Sequence, residues 1–362
     1  MTNKSPFGRD SRVRILKQHL AGFGTPTIES AWRFIYEELL WIDGSTGLAH
    51  LYESDKAQPG RPWYDRTSIF TDMLCEKFGG ITHEELKPRI DLLFRACLQE
   101  AVKRQQEAVV DETTAESELA DTLAGLQQTT YSSENTEVEA YIPDVSLVTE
   151  FASLLIQQTN MPRPQAELFA HDLVAKARHY FTVERKRQNV LGEGFEDLLQ
   201  LLIEGISRVP PGYVVIRQRA NKLPGFQNTQ NTRERVEAPD IAIVRNGRTE
   251  ILASVKWSLR HDRQKQLSDE LDCYVDLLSQ DEFPKYVLIT NEYDPGRLVN
   301  TDGLNRRGQR IDHIYHVNLE LLLGALQDHE RSKDLIPLID SGRLGSISGF
   351  LGDLSRRYGS VI

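Results

Sequence analysis

At 362 residues, with 40% hydrophobic and 27% charged side chains, the chain can bury a substantial core as two domains or as one with a large extension. No apolar run approaches the ~20 residues of a membrane span. The opening MTNKSPFGRDSRVRILKQHL is too polar for a secretory signal, and Cys75, Cys97 and Cys273 are scattered as reduced core residues are, so a cytoplasmic location is expected. The formal net charge of −10 opposes nucleic-acid binding when read as a sum. Its distribution weakens that objection. Residues 95–150 are acidic, whereas Arg217, Arg219, Lys222, Arg233, Arg235, Arg245, Arg248, Lys256, Arg260 and Arg263 crowd into 212–263. A local cationic face attracts phosphate within a Debye length of ~8 Å.

Residues 1–106 read as a mainly helical N-terminal domain, suited to accessory DNA contacts or to oligomerisation. Apolar positions recur at helical spacing over 28–41 behind Thr27 as N-cap, over 67–78, and over 82–107, where Thr82 and Glu85 form a capping box. The Gly/Pro-rich stretch between the first two offers His50, Lys56, Arg61, Trp63, Tyr64 and Arg66. These suit a loop covering the helices, or DNA contacts. Residues 107–145 form an acidic linker rich in Glu, Thr, Ser and Gln. Two amphipathic helices over 147–181 then lead into the second domain, 146–362. Glycines at 192 and 194 precede an apolar helix, which places Glu196 in its first turn. A strand over 213–219, a polar loop, a hairpin, a helix over 264–278 and strands at 285–291 and 313–318 complete the pattern.

The hairpin and the helix after it carry the chemistry. Asp240 opens the alternating strand Ile241, Ala242, Ile243, Val244; Asn246-Gly247 favours a type I′ turn; and residues 250–257 return to bring Lys256 near Asp240. A carboxylate and a lysine at adjacent strand ends can hold a divalent metal and a phosphate together, the minimal apparatus for metal-assisted phosphodiester hydrolysis. Mg²⁺ takes hard oxygen donors, so Asp240, a further acid and the Val255 carbonyl suit it. A lysine ending an apolar strand suits stabilisation of a pentavalent phosphate or orientation of the attacking water.

Pro239-Asp240, the hairpin and Ser254-Val255-Lys256 resemble the signature of the PD-(D/E)xK nucleases, with Ser254 where most members carry the second acid. Downstream of Lys256 lie Arg260, Asp262, Arg263 and Glu270, at offsets of 4, 6, 7 and 14. That arrangement resembles type II restriction endonucleases that cut sites with a CCGG core, in which the second acid has moved to the following helix. Asp240 and Lys256 are 16 positions apart, closer to relatives whose CCGG-like site carries an inserted base. The resemblance spans roughly 185–320. It implies an α/β restriction-endonuclease-like core, an αβββαβ mixed sheet flanked by helices. It also implies Mg²⁺-dependent cleavage of double-stranded DNA leaving a 5′ phosphate, with Glu270 as the displaced metal ligand beside Asp240.

Glu196 is a further candidate ligand, and Ser254 a hydroxyl lining the site. No histidine is placed to make Ser254 a nucleophile, His261 included. Arg260 and Arg263 bracketing Asp262 suit readout of adjacent G·C pairs, since arginine pairs with guanine O6 and N7 and aspartate accepts from cytosine N4. A symmetric DNA site calls for a homodimer or homotetramer. The rival expectations are a nuclease of repair or recombination that recognises DNA structure, and a DNA-binding protein without activity on the same fold.

Overall fold

The computed structural model describes residues 5–23, 26–52, 56–115, 145–159, 161–227 and 236–359. Most of the acidic linker, together with Arg233 and Arg235, lies outside them. The first helices are α1 (Arg9–Phe23), α2 (Ala31–Leu39), α3 (Pro62–Lys77), α4 (His83–Leu86), α5 (Leu92–Ala115), α6 (Val145–Thr159) and α7 (Arg163–Gly205). There follow β1 (Val214–Ile216), β2 (Ile241–Arg245), β3 (Arg248–Lys256), α8 (His261–Leu277), β4 (Lys285–Thr290) and α9 (Pro295–Asp302). A two-stranded ribbon, β5 (Asn305–Arg306) and β6 (Gln309–Arg310), precedes β7 (His313–His316), α10 (Leu319–Ala325), α11 (Ile336–Asp340), β8 (Leu344–Ser346) and α12 (Ile347–Tyr358). No helix among the described residues is long and apolar enough to cross a membrane.

The chain divides into two compact units, Met1–Arg12 with Ala96–Val190, and Val13–Arg95 with Leu191–Ile362. These boundaries fall elsewhere than residues 106 and 146, where composition alone changes. The reason lies in side chains buried between distant segments. Tyr36 on α2 donates to Asn291 at 2.8 Å, lies 3.0 Å from the Tyr293 hydroxyl, and meets Trp257 and Phe70 edge to face. The smaller unit has a core of Ala152, Ala166 and Ala170, flanked by Val148, Leu155, Ile156 and Met161.

The larger unit is α/β, built on a six-stranded mixed sheet in the order β1-β2-β3-β4-β7-β8. The first three strands are antiparallel neighbours and the remaining pairings are parallel. Asn246 and Gly247 have φ of 52° and 73°, the left-handed pair that a type I′ turn needs between two twisted strands. The return strand β3 becomes the sheet's central support. From Ile251 to Lys256 it is buried throughout, as a strand with a parallel partner and helices on both faces must be. The crossover through α8 brings Lys285–Thr290 alongside Ile251–Lys256 in parallel register.

Several elements depart from the sequence expectation. The expected helix over 82–107 is broken at Asp91 (φ 64°) beyond Pro88, although the capping box forms at its start. Thr27 does not cap α2; it pairs with Ser30, which holds that place without a side-chain cap bond. The helix expected to begin at the glycines is instead the last part of α7, which runs unbroken through Gly192 and Gly194. Glu196 is therefore an interior helical residue, not a first-turn residue favoured by a helix N-terminus. Strand β1 ends early because Arg217 adopts φ 49°.

Candidate active site

The antiparallel register sets Ile241 opposite Ala253, so Asp240, one residue earlier, lies beside the end of β3. Its Oδ2 accepts from the Val255 amide at 2.7 Å, from the Lys256 ammonium at 2.7 Å and from the Ser254 hydroxyl at 3.4 Å. Asp240 is thus locked to the strand by three successive residues. Helix α8 turns Leu267, Glu270, Leu271, Tyr274 and Leu277 toward the sheet, and this buried stripe carries a carboxylate. Glu270 Oε1 is 3.7 Å from Lys256, and its Oε2 accepts from the Tyr286 hydroxyl at 2.8 Å. Tyr286 stands on β4, so the helix-borne acid beside Lys256 is itself held by the neighbouring strand.

Electrostatics follow from that burial. Loss of solvent pulls the Lys256 ammonium down, but Asp240 and Glu270 outweigh it and hold its pKa above the ordinary lysine value. Burial raises the Glu270 carboxyl, with the Asp240 charge adding to it, while Lys256 and the Tyr286 and Ser254 hydroxyls pull the other way. Glu196 is pushed up to about 7 by burial and then by the Asp240 charge, despite opposing effects of Arg217 and Lys256. Burial thus favours the protonated forms of both Glu196 and Glu270, the two glutamates nearest Asp240 and Lys256.

Neither a protein-family model nor a curated protein matches this chain.

Among the described residues, no group of three or more His, Cys, Asp or Glu side chains converges closely enough to hold a metal ion. The geometry explains why. The Lys256 ammonium stands between Asp240 and Glu270, and Arg217 draws Glu196 through a side-chain hydrogen bond. The donors are nevertheless the hard oxygens that Mg²⁺ takes.

Trp257 fixes the strand end that carries this lysine. Its ring meets Phe195 of α7 edge to face at 5.3 Å, and its carbonyl accepts from Asn291 at 3.1 Å. The loop to α8 is tied by buried Glu292, which accepts from the Leu259 amide at 2.6 Å and from the Asp294 amide at 2.8 Å. Arg260, Asp262 and Arg263 then open α8 on the surface. Their side chains are 52%, 64% and 45% exposed, and each arginine is a loose ion-pair partner of Asp262 at 3.8–3.9 Å. The cluster is an exposed, loosely paired helix start, and Arg263 also donates to Gln266 at 3.2 Å.

Other candidates are used internally. Trp63 is buried and stacks on Tyr52 at 4.1 Å, and His50 stacks on Trp41 at 4.0 Å. Arg66 and Lys56 lie over Trp63 and Tyr52, respectively, as cation–π partners. Cys75 and Cys97 are buried free thiols and Cys273 is half-buried. Sequence reasoning missed Tyr286, Glu292 and the contact from Arg217 to Glu196. A phenol in the otherwise aliphatic strand KYVLIT was the available signal for the first; the others had none.

Proposed function

We propose that this chain is a Mg²⁺-dependent, sequence-specific endonuclease of double-stranded DNA. In this reading its core is of the PD-(D/E)xK kind and its target is a site with a CCGG-like centre. The observation that carries this is the meeting of Asp240, just before β2, with Lys256 on β3 and Glu270 on α8, Lys256 being 2.7 Å from one acid and 3.7 Å from the other. Desolvating a lysine between two acids gains the fold little, and such buried charged groups cluster at functional sites. The order helix, three strands, helix, strand from α7 to β4 is the order such a core requires.

Asp240, Glu270 and Glu196 would hold the cation, together with the Val255 carbonyl. Bound there, the cation supplies Lewis-acid stabilisation of the phosphate and activates water. Lys256, released from carboxylates that turn to the metal, would donate to a non-bridging phosphate oxygen as negative charge builds in the transition state. Ser254 would keep Asp240 oriented through its hydroxyl. The exposed Arg260, Asp262 and Arg263 would exchange their loose mutual pairing for base edges in the major groove. Cutting both strands of a symmetric site would call for a homodimer or homotetramer.

Incubation of unmethylated phage DNA with the protein and Mg²⁺ tests this reading. Discrete fragments with 5′-phosphate ends and a shared G·C-rich sequence support it. A smear points to a nuclease that recognises DNA structure, and intact DNA retarded on a gel points to a binding protein.

A further inference from the structure

Arg217 occupies a place that composition does not foreshadow. It is a non-glycine residue at φ 49°, directly after β1, in a backbone region that L-residues seldom enter. Its amide donates to the Asp240 carbonyl at 3.2 Å, which extends the β1–β2 pairing up to the acid of the site. The left-handed turn then sends the guanidinium to α7, where Nε donates to the Glu196 carboxylate and a terminal nitrogen reaches the Glu193 carbonyl at 3.4 Å. Glu196 is mostly buried, and Arg217 is about one-third exposed. The same backbone segment thus touches one acid through its amide and restrains another through its side chain.

We propose that Arg217 is a positioning residue, a latch that holds Glu196 away from the cation and so sets how tightly the site takes up metal. This rests on the metal-dependent reading of the site. A carboxylate oxygen engaged by a guanidinium is a poor donor to a cation, and the positive charge of Arg217 also opposes a second cation nearby. In this structure Arg217 is the ion-pair partner of Glu196. To serve as a ligand beside Asp240 and Glu270, Glu196 would have to leave Arg217, whose guanidinium could turn to its solvent side. A residue serving only to support the fold would have the opposite effect on removal, since a disordered site binds metal more weakly.

Mn²⁺ binding to the full-length protein without DNA, followed by the paramagnetic signal of the free ion, reads this directly. Arg217→Ala should bind Mn²⁺ roughly tenfold more tightly than wild type, as expected for loss of one nearby charge. Arg217→Gly provides a second variant compatible with the left-handed turn should alanine perturb the fold. Arg245→Ala, at the far end of β2, controls for general charge and should change nothing. Adding Glu196→Gln to Arg217→Gly should cancel the gain. Equal or weaker binding by both Arg217 variants, with Asp240→Ala abolishing binding, overturns the latch while the metal reading stands. A gain that survives Glu196→Gln also overturns it. No Mn²⁺ binding by any variant overturns both.

Discussion

The hydroxyl of Tyr286 donates to Glu270 Oε2 at 2.8 Å, inside the protein and against the strand that carries Lys256. This bond ties the helix-borne acid to the sheet and favours its ionised form. Tyr286→Phe removes the donor without changing the packing volume. The Glu270 carboxyl should then rise further above the usual carboxylate range, and the acid limb of the cleavage–pH profile should move to higher pH. Activity at pH 6 should fall several-fold more than activity at pH 8.5, a net hydrogen bond to a charged group being worth ~1.5–3 kcal/mol. A uniform loss across pH would deny Tyr286 this role.

Glu196 makes stability depend on pH with a definite sign. Its folded-state pKa of about 7 lies above the ordinary value of 4.5, so between these limits the folded state holds a proton that the unfolded state has released. The resulting stabilisation is complete below 4.5 and is lost as pH rises through 7. Glu270, also raised, acts in the same direction. In the metal-free protein, stability should drop on the order of 3 kcal/mol from Glu196 alone between these limits. Urea unfolding at pH 5 and pH 8 measures it, and Glu196→Gln should reduce the difference.

Exchange of the acid between helix and strand is a sharper test of geometry. Ser254 is wholly buried, with its hydroxyl 3.4 Å from Asp240 Oδ2, beside the carboxylate of Glu270. Glu270→Ala should lose at least a hundredfold in cleavage. Ser254→Glu combined with Glu270→Ala should recover part of it, because the new carboxylate enters the space vacated. An active Glu270→Ala single variant would refute the assignment of this acid.

Arg260, Asp262 and Arg263 should affect discrimination more than turnover. A good bidentate base contact is worth ~1–3 kcal/mol, so Arg260→Ala or Arg263→Ala should weaken cognate duplex binding about tenfold or more, with little effect on a scrambled duplex. Asp262→Asn should relax the choice at a cytosine. Binding is compared at one salt concentration, since phosphate contacts are salt-dependent. Equal losses on both duplexes would reduce the cluster to a phosphate contact.

The hairpin was legible because its signals are local. Asn246-Gly247 dictates the turn, the turn dictates the register, and the register brings Asp240 to Lys256. Glu270 was legible only through its spacing, and burial on α8 supplies the physical reason it differs from an ordinary helical glutamate. Glu196 was misplaced because paired glycines look like a helix start, while tertiary packing of Phe195 against Trp257 carries α7 through them. The segments α9, α10, α11 and β8 passed unseen, being too short for a periodic signal, and the amphipathic α12 was not singled out. Arg217 and Glu292 act through a positive φ and a buried loop anchor, neither of which leaves a mark in a pattern of apolar residues.

The central claim is that Asp240 and Lys256 act on a phosphodiester. The decisive measurement is cleavage of a supercoiled plasmid carrying CCGG-type sites in Mg²⁺ by wild type, Asp240→Asn and Lys256→Gln, alongside binding in Ca²⁺. Wild type should give discrete linear products, and both near-isosteric variants should lose cleavage by a hundredfold or more while still retarding the cognate duplex. Cleavage within tenfold of wild type by either variant, or no Mg²⁺-dependent cleavage by wild type, would contradict the account.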